Sequence, residues 1–168
     1  MEAGAAFVDA ADTPGHLHPR WFSVHYAAMM YVYAAKADPK SPAADGLKRT
    51  ANDLIARRLR MDPPPSDEDF RQLSTWAAHA AVGNNFDLAR QVVMLWGQVV
   101  PKPGKDYFIQ RAMVEAKSEA YGPALRAINR VPLKELSADD RAALLRLRDD
   151  CRRKLNLPEL LPPPRAAE

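Results

Sequence analysis

The groups in this chain that could do chemistry are four histidines, one cysteine and a run of carboxylates. His16, His18 and His25 are near enough in sequence to gather round a metal ion. No cysteine or carboxylate stands at a ligand's regular spacing from them, however. His16 and His18 read as residues of a proline-flanked loop, and His25 as a hydrogen-bonded histidine within an apolar helix. His79, set between alanines, could line a groove but reads rather as a hydrogen-bonded interface residue. Asp67, Glu68 and Asp69 resemble an acid–base pair, but they follow Ser66 directly and so occupy a first helical turn, where carboxylates complement the macrodipole. Cys151 falls at a core position of a helix and reads as a small hydrophobe. As the single cysteine it has no partner for an internal disulfide or a CxxC metal site. The chain carries no Walker loop, no GxGxxG after a strand, no HExxH and no GxSxG. These residues therefore point to a non-catalytic protein with no cofactor and no metal.

The elements that would position such groups are all helical. Of 168 residues, 47% are hydrophobic and 27% charged, which describes a chain that folds. Few Val-Ile-Thr alternations and no Asn-Gly or Asp-Gly hairpin signal argue against a sheet. The most informative stretch is 81–103. Gly83-Asn84-Asn85 is a turn signal, and behind it Phe86, Ala89, Val93, Trp96 and Val100 recur every three or four positions. Leu88, Val92, Leu95 and Val99 form a second apolar line on a neighbouring face, so this helix is expected to be packed on two sides. Upstream, Ser66 with Asp69 three positions later is a capping box. Phe70, Leu73, Ala77, Ala80 and Ala81 continue from it at helical spacing.

This hairpin recurs. Shifted by 35 residues, Leu73 falls on Phe108, Ala77 on Ala112, Ala81 on Ala116, Phe86 on Tyr121, Ala89 on Ala124, Val93 on Ile128 and Trp96 on Val131. A unit that cannot bury its own apolar faces must stack on a neighbour through equivalent residues. Over residues 66–137 the pattern of Asn84, Phe86, Ala89, Val93, Trp96 and Pro101 or Pro103 resembles a tetratricopeptide repeat or its pentatricopeptide relative. Arg111 and Glu119 depart from that pattern, standing where an apolar residue and a glycine or turn residue are expected. The resemblance implies an α-solenoid that works as a binding surface. For the pentatricopeptide relative it also implies single-stranded RNA read by side chains of the first helix of each repeat, here Thr75 and Gln110.

In chain order, residues 1–19 hold no periodic pattern and read as an extended arm, lacking the basic region and apolar run of a secretory signal. Residues 21–35 carry no charge. A helix there is apolar almost all round and needs cover from the protein or a partner. It falls short of the roughly 20 apolar residues of a bilayer span, so membrane contact is the minor alternative. Ser41 and Pro42 open a second helix that buries Leu47, Ala51, Leu54, Ile55 and Leu59. Lys48, Arg49, Arg57, Arg58 and Arg60 crowd its other side as candidate phosphate contacts, as do Arg141, Arg148 and Arg152 on the last helix. Pro63-Pro64-Pro65 is a stiff linker. Ser137 caps a final helix over 137–155 that buries Leu144, Leu147, Cys151 and Leu155, and residues 157–168 form a polyproline II tail.

The expectation is thus an all-α protein of stacked antiparallel hairpins, at about 20–61, 66–100 and 105–131, with a C-terminal capping helix. It acts as an interaction or assembly subunit among other protein subunits. Trp21, Phe22, Tyr26, Tyr31, Tyr33 and His79 are its candidate partner-binding residues. The alternative is a small RNA-associated factor using Arg57, Arg58, Arg60, Thr75 and Gln110. Either would work in an intracellular, reducing compartment, the cytoplasm or the mitochondrial matrix.

Overall fold

The computed structural model describes residues 2–15 and 18–158, and among these the secondary structure is helical throughout. Eight α-helices form: α1 (Glu2–Asp12), α2 (Arg20–Ala37), α3 (Ala44–Arg58), α4 (Asp67–Ala77), α5 (Phe86–Val99), α6 (Lys105–Lys117), α7 (Tyr121–Ile128) and α8 (Ala138–Lys154). Short 3₁₀ turns stand at Ala80–Val82 and Leu133–Glu135.

The expected N-terminal arm is instead helix α1. Its sequence hides a helix because alanine contributes little apolar contrast, yet alanine is the residue that forms helices best. Phe7, Val8 and Ala11 turn toward the core. Gly4 lets α1 press against α2, since a Cβ there would stand 2.9 Å from the Tyr31 ring. Pro14 and Gly15, the latter with φ of 79°, end the segment. Helix α1 packs on one side of α2 and α3 on another, so the chain itself supplies most of the cover that α2 needs.

Two caps form as the sequence predicts. The Asp69 N–H donates to Ser66 Oγ at 3.1 Å while the Ser66 N–H donates to Asp69 Oδ2 at 3.2 Å. At α8 the Asp140 N–H donates to Ser137 Oγ at 3.1 Å. Other ends move. Helix α3 begins at Ala44, two positions after the expected proline start, because Ser41 closes a turn through its carbonyl to the Ala44 N–H at 2.9 Å. Helix α4 stops at Ala77 rather than Ala81, because the His79 ring accepts the Ala81 N–H at 3.0 Å and starts a 3₁₀ turn. Gly83 then takes a left-handed φ of 89°, which glycine adopts without Cβ strain. Leu155 is exposed rather than buried, since α8 ends at Lys154 and the chain turns through Asn156 at φ 53°. From residue 159 onward the expected tail lies outside the described residues.

The main core joins α1 to α5 and one face of α6, centred on Trp96. This indole is fully buried, stacks on Phe70 at 6.1 Å, meets Tyr107 edge-on at 5.4 Å, and donates its Nε1–H to Asp67 Oδ1 at 2.6 Å. Asp67 thus serves the core as well as the helix terminus. A second cluster of Ala112, Ala127, Ile128, Val131, Leu136 and Leu144 ties α6, α7 and α8 together. Most 35-residue equivalents share burial: Ala77 and Ala112, Ala89 and Ala124, Val93 and Ile128, and Trp96 and Val131 are all buried.

Candidate functional site

Helix α6 packs beside both α4 and α8. Between them lies an open groove of about 630 Å³ whose apolar surface comes from Phe86, Ile109, Met113, Ala143, Leu144 and Leu147. Spacings of four on α6 (109, 113, 117) and of three and four on α8 (140, 143, 144, 147) put each set on one helix face. Met113 stays 43% exposed in it. A flexible, polarizable side chain left in an apolar recess suits contact with surfaces of varied shape. The Lys105 ammonium donates to the Glu135 carbonyl at 3.1 Å, which brings the start of α6 beside the start of α8, so the two helices run along the groove in the same direction.

The polar groups on this groove differ in how far they are already engaged. Gln110 Oε1 accepts from Ser74 Oγ at 3.1 Å, and its Nε2 donates to Thr75 Oγ1 at 3.3 Å. Asp140 accepts the Ser137 hydroxyl at 2.7 Å within its own cap. The Lys117 ammonium and the Asn84 side-chain amide line the groove and make no hydrogen bond or ion pair among the described residues. Lys117 stands two turns along α6 from Ile109, about 12 Å at 1.5 Å per residue.

A second polar arrangement is internal. Arg58, only 1% exposed, donates from Nη1 to the Pro63 carbonyl at 2.9 Å, lies 3.6 Å from Asp69 Oδ2, and covers the Trp21 ring at 4.9 Å. His25 is buried beside it. Its Nε2 is 3.2 Å from Gln72 Oε1 and 3.8 Å from Asp69 Oδ1, and its ring sits 5.1 Å from Trp76. The Gln72 amide already donates to Glu68 at 2.9 Å, so its oxygen faces the imidazole and Nε2 carries the proton. Burial pushes the His25 imidazole below its ordinary value, against the opposing pull of Asp69. These groups join α2, α3 and α4, with Arg58 and His25 buried among them.

The predicted residues divide accordingly. Thr75 and Gln110 come together, but as partners of each other. Arg58 is corrected from a surface phosphate contact to an interior group, because the aromatic and carboxylate partners it finds inside repay its burial. Arg57 pairs with Asp12 of the unforeseen helix α1 and holds that carboxyl below its usual value, leaving Arg60 alone exposed of the three. On α8, Arg141 donates to the Leu136 carbonyl, Arg148 pairs with Asp149, and Arg152 donates to the Pro158 carbonyl.

Of the aromatic candidates, Trp21 lies under Arg58. Phe22 packs on Tyr26 with the rings tilted and 4.3 Å apart, and Tyr31 covers Gly4. Tyr33 is 52% exposed. His79 is taken by its turn and does not line the groove. His16 lies outside the described residues. Among the described residues no His, Cys, Asp and Glu side chains cluster in a way that could hold a metal, and no helix is long and apolar enough to cross a membrane. The groove residues escaped the sequence argument because Ile109, Met113 and Ala143 gain meaning only when α6 and α8 are known to be neighbours. Compared with known proteins, the chain matches no family model, no curated protein and no solved structure.

Proposed function

We propose that this chain is a non-catalytic interaction subunit of a larger protein complex, built as a short stack of helical hairpins of the tetratricopeptide kind, and that a segment of a partner subunit occupies the groove between α6 and α8. The observation that carries this is the groove itself: about 630 Å³ of open, mainly apolar recess with Met113 exposed on it. An exposed apolar surface of this kind is what an interaction site offers. The packing of α6 beside both α4 and α8 supports the stacked arrangement, since first helices of successive hairpins lie side by side in such a stack.

Ala143 is exposed, so Ala143→Trp fills the groove without entering the core. Tagged wild type expressed in its native cells, purified after nuclease treatment at moderate and then high salt, should retain a fixed set of proteins that the variant loses. The same set on the variant, or material lost to nuclease, would count against the proposal. The RNA-associated alternative draws no support from Thr75, Gln110, Arg57 or Arg58, whose polar groups are already engaged within the chain.

A further inference from the structure

Resting on the groove as the docking place, we infer that its occupant is an amphipathic segment of another protein: apolar anchors along α6 and α8, and a carboxylate side chain at the Lys117 end. Charge complementarity selects this chemistry. Of the two charged side chains on the groove, Asp140 is committed to the Ser137 cap at 2.7 Å, whereas Lys117 has no partner among the described residues. The groove therefore presents an unpaired positive charge at the Lys117 end and a cap-bound carboxylate at the other.

Because α6 and α8 start at the same end of the groove, Lys117 and Leu147 lie toward its far end and Asp140 toward the end where both helices begin. An acidic residue is favoured next to Lys117 and disfavoured at the opposite end, which gives the segment a direction. Asn84 adjoins the Lys117 end through the turn before α5. Its unengaged amide can donate to a backbone carbonyl and accept from a backbone N–H of the bound segment. The apolar part must span about two helical turns, roughly 11 Å.

The test selects a displayed library of random peptides on the full chain as wild type, Lys117→Glu and Ala143→Trp. Wild type should enrich clustered Leu, Phe or Met with Asp or Glu on one side. Lys117→Glu should enrich the same apolar pattern with Lys or Arg in the acidic place, and should bind a synthesised wild-type winner about fivefold more weakly, the scale of an exposed ion pair. Groove-dependent winners with no acidic position, or identical winners on wild type and Lys117→Glu, overturn this inference and leave the groove reading standing. Winners untouched by Ala143→Trp, no winners at all, or a wild-type dimer that Ala143→Trp dissolves overturn both.

Discussion

Gln110 follows Thr75 by 35 residues and hydrogen-bonds to it, its Nε2 donating to the Thr75 hydroxyl at 3.3 Å. The same amide accepts from the fully buried Ser74 hydroxyl at 3.1 Å. These polar groups fasten α4 to α6, and Gln110 among them lines the groove.

Gln110→Ala leaves the Ser74 hydroxyl buried without its partner, and should cost about 1–2 kcal/mol in chemical denaturation. Ser74→Ala together with Gln110→Ala should cost little more than Gln110→Ala alone. Strict additivity of the two changes would show that the bond contributes nothing.

Arg58 joins three helices by a carbonyl bond, an ion pair and a ring contact. Arg58→Ala strips Asp69 and the Pro63 carbonyl of their partner and opens space over Trp21, a loss of about 3 kcal/mol on the scale of broken buried pairs. Lysine cannot reproduce the planar fork over an aromatic ring, so Arg58→Lys should lie between wild type and Arg58→Ala. Equal unfolding midpoints for wild type and Arg58→Lys would show that charge alone matters.

Much of this fold was legible because it is local. Ser66 with Asp69 and Ser137 with Asp140 are caps written within four residues, and Phe86 to Val99 carries its buried stripes in its own spacing. Helix α1 was not legible, because alanines give no apolar rhythm and only the neighbouring α2 shows which side is buried. The cluster of His25, Arg58 and Asp69 brings three helices together and leaves no trace in any one of them. The groove is hidden for the same reason: Met113 and Ala143 are unremarkable until α6 and α8 lie adjacent.

His25 makes stability depend on pH in a defined direction. Burial lowers its pKa in the fold, with the Arg58 charge adding to this, while Asp69 and Gln72 oppose it. Below about pH 6.5 the unfolded chain takes up a proton that the native imidazole resists, so stability falls as pH drops from there toward the folded value and is full above it. Urea midpoints of wild type should fall between about pH 7.5 and about pH 5.5 more steeply than those of His25→Gln, which cannot titrate in that range. Parallel slopes for the two proteins would remove His25 as the cause.

Glu119 ends α6 in a conformation that suits another residue. Its φ is 59°, in the left-handed region, where a Cβ is strained and glycine is not. The backbone there is well bonded: the Ala120 N–H donates to the Glu115 carbonyl at 2.8 Å and the Glu119 N–H to that of Ala116 at 3.1 Å, the pattern of a helix closed by a left-handed residue. The exposed Glu119 side chain makes no hydrogen bond or ion pair among the described residues, so replacing it removes strain without removing a contact. Glycine also gives the unfolded chain more freedom, which offsets part of the gain. Glu119→Gly should therefore stabilise the fold by about 0.5–1 kcal/mol, and Glu119→Ala, which keeps the Cβ, should not. If both variants unfold at the same denaturant concentration as wild type, the turn after α6 is not held in the left-handed form, and the start of α7 at Tyr121 must be set by core packing alone.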